Sequence, residues 1–240
     1  MADSAQLLRE SWKQAVAAGD SFPLLFYALL FDRAPEARQL FPQDMREQRR
    51  HLVATLGTVV NAESLDDEAV LDRLGQLGRA HRRYGATGPG YEAVGACLVL
   101  ALKGTVEGWS AEHEAAWTEA YGAVAGVMQH ADEEQAAAPR WLEVTVLGNS
   151  AEDIDLADLE VDGPEAWPEP IGPGGEVWAR RLDRPHRWVQ ARLIVQPFPT
   201  VRLVAPIIDD DLDAVALSFT PVGAQVALAP FLPQEAPHHG

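Results

Sequence analysis

The apolar residues of this chain change their spacing near residue 135, and that change requires two different architectures in succession. From Ala5 to about Gln135 they recur at helical intervals, as in Leu8, Trp12 and Ala15, then Phe22, Leu25, Phe26, Leu29 and Leu30. Positions three and four apart share one helix face, so this half reads as a set of helices with apolar stripes. Punctuation falls between the stripes at Gly19-Asp20-Ser21, Pro35, Pro42, Gly85 to Gly90 and Gly108-Trp109-Ser110, where glycine, proline and capping side chains end or start helices. Beyond Gln135 to Pro139, Leu142, Val144 and Val146 alternate with Glu143 and Thr145, and Val189, Ala191, Leu193 and Val195 alternate with Gln190 and Arg192. A period of two predicts strands with one buried face. Further strands are expected over Glu176 to Arg181, Thr200 to Ile208, Ala214 to Thr220 and Gln225 to Ala229, with Ala151 to Gly174 read largely as loop. Short strands without intervening helices predict a small antiparallel barrel or sandwich.

Length and charge narrow the functional classes. The chain has 240 residues and a formal net charge of −17, spread over both halves, so neither offers the basic face that nucleic acid or an anionic membrane surface requires. Its one cysteine, Cys97, lies in an apolar run, which excludes disulfides and cysteine-ligated clusters and suits a reducing cytoplasm. The N-terminal segment carries Arg9, Glu10 and Lys13 without a continuous apolar stretch, so no export signal is expected. No run reaches the length of a bilayer span.

One histidine stands out. Over Asp67 to His81, Leu71, Leu74, Leu77 and His81 are spaced by three, three and four, which places the imidazole on the apolar side of a helix. By itself such a residue is more often a core histidine hydrogen-bonded to backbone than a ligand. Its surroundings change that balance: Phe26-Tyr27-Ala28-Leu29-Leu30-Phe31, Gln39-Leu40-Phe41 and Met45 to Leu52 precede it, and Gly85, Pro89, Tyr91, Val94-Gly95, Ala116-Trp117 and Ala120-Tyr121-Gly122 follow. The ordered series resembles the flavohaemoglobin and single-domain branch of bacterial globins.

That resemblance implies an all-α globin fold over 1–135, with haem b as cofactor and His81 as the iron ligand. It puts Phe41 against the porphyrin and Tyr27 and Gln48 on the distal side, where a phenol and an amide can donate hydrogen bonds to a gas ligand. Leu52, one turn after Gln48, becomes the steric wall. Tyr91 matches a tyrosine that approaches the proximal histidine, and Asp132 falls at the family's glutamate position, one methylene shorter; partners of this kind orient the imidazole and raise its donor strength. His51 either faces a propionate or solvent, and Arg79, Arg82 and Arg83 either meet a haem carboxylate edge or form a solvated run. His113, His130 and His186 lack metal-like spacing, and His238-His239 is a weak metal signal in a loose tail over 233–240.

The second half, over 140–232, resembles the ferredoxin-reductase-type flavin barrel of flavohaemoglobins, through Arg140 to Val146 and Ile171-Gly172-Pro173-Gly174. It departs from that family where the flavin is held. Arg187-Trp188-Val189-Gln190 lacks the stacking tyrosine and its hydroxyl partner, and Asp209-Asp210-Asp211-Leu212-Asp213 stands where a glycine-rich segment would meet a diphosphate. Four carboxylates repel that group, so FAD is not expected, and no Gly-x-Gly-x-x-Gly element provides an NAD(P)H site. The acidic run reads as a solvated loop. The barrel would then be degenerate, retained for stability, homodimerisation, partner docking or signalling. Two functions remain open: binding of O2, CO and NO, extending to conversion of NO to nitrate with an external reductase, or gas and redox sensing passed through the barrel to a partner.

Overall fold

The computed structural model describes residues 4–62, 67–134, 139–150, 155–185, 187–195, 200–208 and 212–231. It divides into two compact units, Met1–Glu134 and Gln135–Gly240. The first contains α1 (Ser4–Ala17), α2 (Ser21–Arg33), a 3-10 helix (Pro35–Leu40), α3 (Arg46–Asn61), α4 (Glu68–Arg83), α5 (Gly88–Thr105) and α6 (Ala111–Glu133). The second contains β1 (Leu142–Asn149), β2 (Leu156–Asp162), β3 (Glu176–Arg181), β4 (Val189–Val195), β5 (Thr200–Pro206), α7 (Leu212–Ser218) and β6 (Gln225–Pro230).

Local chemistry sets the helix ends around the site. Asp67 caps α4, its carboxylate accepting from the backbone N–H groups of Ala69 and Val70 at 2.9 and 3.4 Å. Ser110 caps α6 in a reciprocal box with His113, satisfying N–H groups that the first turn leaves without helical partners. After α4, Gly85 takes φ +79°, a left-handed conformation that side chains with a Cβ resist, and its N–H returns to the Arg82 carbonyl at 2.9 Å.

Helix α4 docks on α6 through glycines. A Cβ at Gly78 would lie 2.8 Å from the Cα of Met128, and one at Gly75 would touch the Ala131 methyl at 3.9 Å. These contacts run antiparallel, so the first turn of α4 reaches the end of α6. Leu71 therefore stays 37% exposed while Leu74 is buried, which corrects the expectation of one apolar stripe from Leu71 to His81. The buried residues Leu74, Gly75, Gly78 and Arg82 form the face toward α6, and Leu77 and His81 look onto a cavity instead.

The second unit is a closed antiparallel barrel in the order β1-β2-β5-β4-β3-β6. Alternate residues fill it: Val144 and Val146, Ala157, Leu159 and Val161, Val177 and Ala179, Leu193, Leu203, Val226 and Leu228. Two expectations are corrected. Strand β2 lies within the segment read as loop, because its inward Ala157, Leu159 and Val161 alternate with acidic residues. Acidic composition hid a regular period of two. One of those acids, Asp158, accepts from Arg202 Nε on β5 at 2.9 Å. Conversely, Ala214 to Thr220 is not a strand: α7 turns Ala214 and Leu217, three apart, into the barrel core, and a short apolar run fits either period until its neighbours decide.

Replacing Gly78 with alanine is expected to push α4 off α6 and to destabilise the helical unit by about 1–3 kcal/mol, the usual cost of overpacking. Chemical or thermal unfolding of the variant reads this directly, and a neutral result would show that the α4–α6 contact relaxes without cost.

Candidate functional site

The helical unit has two apolar clusters. One gathers Trp12, Phe22, Phe26, Tyr27, Leu98, Leu102 and Trp117, the other Leu74, Tyr91, Ala125 and Met128. A cavity of about 330 Å³ draws its walls from residues packed in both, including Leu52, Leu56, Leu77, Tyr91, Val94 and Val124, with His81 facing it. Its volume lies within the range of roughly 300–1,000 Å³ typical of cofactor and ligand sites.

His81 is held by its own helix. Nδ1 lies 2.8 Å from the carbonyl oxygen of Leu77; a carbonyl only accepts, so Nδ1 carries the proton and Nε2 keeps a lone pair when the ring is neutral. Burial pushes the His81 pKa down, outweighing the Leu77 hydrogen bond that raises it, and Arg83 adds to the lowering. The ring is nonetheless exposed to solvent through the open side of the cavity, which weakens that desolvation. Tyr91 stacks near it with ring centres 6.2 Å apart and planes 30° from parallel. Tyr121 in turn donates to the Tyr91 carbonyl at 2.8 Å.

The structure brings His81, Leu52 and Tyr91 to this cavity. Tyr27, Phe41 and Gln48 form a neighbouring group. Tyr27 is buried, packs edge-on against Phe41 with ring centres 5.5 Å apart, and directs its hydroxyl to the Gln48 backbone oxygen at 3.5 Å. That distance is at the limit for a hydrogen bond. Burial raises the Tyr27 pKa, keeping the phenol a donor. Asp132 pairs with the Arg82 guanidinium across the α4–α6 contact, on the face of α4 that carries Gly78. His51 is exposed beside Glu47 at 3.8 Å and His130 beside Glu134 at 3.6 Å. His186, the tail histidines and Asp209 to Asp211 lie outside the described residues.

The partner of His81 escaped sequence reasoning, since every helical residue has a carbonyl four positions back and nothing in the letters marks Leu77 for this bond. Trp117 and Ser11, joined at 2.9 Å in the core, were also missed as a pair, being 106 positions apart.

The donor set fits a haem. Among the described residues no three His, Cys, Asp or Glu side chains converge as a metal-binding group, whereas a porphyrin supplies four nitrogens and asks the protein for one axial imidazole, apolar walls and a donor nearby. In the barrel, the stretch expected to depart from a flavin motif is engaged with its own neighbours. Arg187 is paired with Asp213 at 3.0 Å and Arg192 with Glu176 at 3.0 Å, while Trp188 lies 4.7 Å beneath the Arg180 guanidinium and Val189 is buried in the barrel core.

Comparison with known proteins agrees with this geometry. Residues 24–128 match the globin family. A flavohemoprotein of Bacillus thuringiensis subsp. konkukian is 35% identical over 102 residues, 42% of this chain and 25% of that protein. An anaerobic nitrite reductase, SYMA, of Casuarina glauca is 28% identical over 130 residues, covering 48% of this chain and 86% of that one. The chain thus spans about a quarter of the length of the flavohemoproteins it matches. The flavohemoglobin of Malassezia yamatoensis, solved with bound FAD and heme, superposes with a TM-score of 0.69 over 95% of this chain and 63% of its own, at 16% identity.

Acid is expected to weaken the site. With the His81 pKa below its ordinary 6.5, the unfolded chain binds more protons than the native one, so stability falls as pH drops below about 6.5. A proton on Nε2 would also remove the lone pair with which His81 would hold a haem iron. Haem uptake measured across pH 5 to 8 tests this; pH-independent uptake would remove His81 from the titrating step. The helical unit has the globin fold and matches the globin family over residues 24–128, and the chain carries it ahead of a closed barrel, the fold and domain order of the Malassezia yamatoensis flavohemoglobin.

Proposed function

We propose that this protein binds O2, CO and NO at a haem b held by His81, and that Phe41, Leu52, Tyr27 and Gln48 shape the face the gas occupies. The observation that carries the reading is the His81 Nδ1–H bond to Leu77, which leaves Nε2 as a neutral donor at the cavity wall. When bound, a ferrous haem supplies a gas site and the one electron needed to convert NO and O2 to nitrate, leaving ferric iron to be re-reduced. Leu77 fixes the tautomer and direction of the imidazole, and the apolar walls would pack against the porphyrin faces. Tyr27, protonated by virtue of its burial and only loosely engaged with Gln48, is free to turn its O–H toward a ligand. Tyr91 steadies the imidazole plane, and Asp132 contributes from behind α4 by fixing Arg82 against α6.

Sustained turnover would draw electrons from a separate reductase. The arginines of the flavin-motif stretch are paired within the barrel, and we propose that the barrel takes up no FAD. A sensing role is favoured by one feature: among the described residues the barrel keeps a buried core of its own, and the arginines of its flavin-motif stretch are paired within it. Its single cysteine, buried in the helical core, suits the reducing cytoplasm.

Haem reconstitution is expected to give a Soret band that His81→Ala abolishes or strongly alters; an unchanged spectrum would reject His81 as ligand. Tyr27→Phe removes a hydrogen bond of about 0.5–1.5 kcal/mol, so oxygen dissociation should accelerate by up to about tenfold. Equal rates would move the donor role to Gln48. FAD added to the holoprotein should remain unbound in equilibrium dialysis, and stoichiometric retention would restore a reductase reading.

A further inference from the structure

Asp20 stands at the N-cap of α2, where an aspartate ordinarily accepts from the N–H groups of its own first turn. It makes no such side-chain bond. Its Oδ2 instead accepts from Arg49 on α3, from Nε at 3.0 Å and from a terminal guanidinium nitrogen at 2.8 Å. The two residues are 29 positions apart. A cap that local chemistry favours has been given up for a bond between helices. Arg49 has left water to make it, with its side chain 15% exposed against 58% for Asp20.

The same two helices carry the contact between Tyr27 and Gln48. Tyr27 lies two turns beyond Asp20 on α2, and Gln48 directly precedes Arg49 in the first turn of α3. The Tyr27 hydroxyl meets Gln48 through the backbone oxygen, at 3.5 Å, so its reach depends on where α3 begins. Arg49 is also near enough to act on the phenol by charge: burial raises the Tyr27 pKa, and the hydrogen bond to Gln48 and the Arg49 cation both oppose that rise. The segment between the helices has its own brace. Arg38 donates to the Phe41 carbonyl at 2.9 Å, and its guanidinium lies 5.3 Å from the centre of the Phe31 ring. Loss of the Asp20–Arg49 pair would therefore release the first turn of α3 and leave Phe41 held.

We infer that Arg49 is a positioning residue for the gas-facing donor: by holding Asp20 it sets the start of α3, and through it how firmly the Gln48 backbone oxygen restrains the Tyr27 hydroxyl. This rests on the haem reading above. Arg49 acts through Gln48 rather than on a ligand. With the pair intact the phenol is held at the limit of hydrogen-bond distance, near enough to be directed and weakly enough to turn. With the pair broken, the first turn of α3 loses its tie to α2 and the phenol loses its restraint.

Full-length, haem-loaded Asp20→Asn, Arg49→Gln and the double variant test this. Asparagine caps a helix as well as aspartate does, so α2 keeps its start, and with Phe41 still braced the Soret band should match the parent's. Oxygen dissociation should accelerate several-fold in both single variants, and the C–O stretch of the CO complex should move in the same direction in each. The double variant should go no further than either single one, as two halves of one interaction require. In the haem-free full-length chain the ring-carbon resonance of Tyr27 should shift in both variants, a readout that needs no iron. One substitution removes a negative group and the other a positive one, so C–O shifts of opposite sign would show charge acting alone and overturn the positioning role. Rates and resonances equal to the parent's in either single variant would overturn it too, as would additive effects in the double variant. No Soret band in the parent, with the Tyr27 resonance still shifted in both variants, would overturn the haem reading and leave the tie between α2 and α3 standing.

Discussion

The close approach of α4 to α6 is the contact on which the site depends. Gly78 lies against the Met128 backbone, and no side chain with a Cβ fits there without moving a helix. With that face fixed, the 100° step between helical residues leaves Leu77 and His81 on the adjoining face, toward the cavity. The Arg82–Asp132 pair lies across the same contact. Helix rotation, and through it the direction of the imidazole, is set by packing behind the histidine rather than by the histidine.

The same geometry explains why the helical unit has two apolar clusters instead of one. The first is closed by aromatic packing, Trp12 edge-on to Phe22 at 5.7 Å and Tyr27 against Phe26 and Phe41 at 4.9 and 5.5 Å; the second gathers Leu74, Ala125 and Met128 around Tyr91. The space between them draws wall residues from both, so a flat apolar cofactor there would complete the core as well as carry chemistry. Tyr27 belongs to the aromatic group and reaches Gln48 only weakly, which leaves its hydroxyl adaptable where most buried hydroxyls are fully engaged.

In the barrel, stability comes from a closed sheet around an aliphatic core. Inward positions are uniformly small or branched aliphatics, and strand pairing closes the sheet without an open edge. Outward arginines that could meet an anion are tied to Asp213, Glu176 and Asp158. Charge pairs between neighbouring strands or between strand and helix hold the surface in register, and they leave those guanidinium groups satisfied from within.

Sequence alone determined the order of helical and strand halves, the unit containing His81, the cap at Ser110, and most strands, because each follows from periodicity or from side chains near one another in the chain. The globin series around Tyr27, Phe41, His81 and Tyr91 was legible for the same reason: spacing along helices is local. Strand β2 was hidden by its acidic outward face, and α7 by a run too short to reveal its period. Only the tertiary structure decided that Leu71 leaves the stripe, that Leu77 fixes the imidazole tautomer, and that Asp132 meets Arg82. Those outcomes depend on how whole helices rotate and slide against each other, and that is set by contacts such as Gly78 with Met128, fifty residues apart in the chain, which no local pattern encodes.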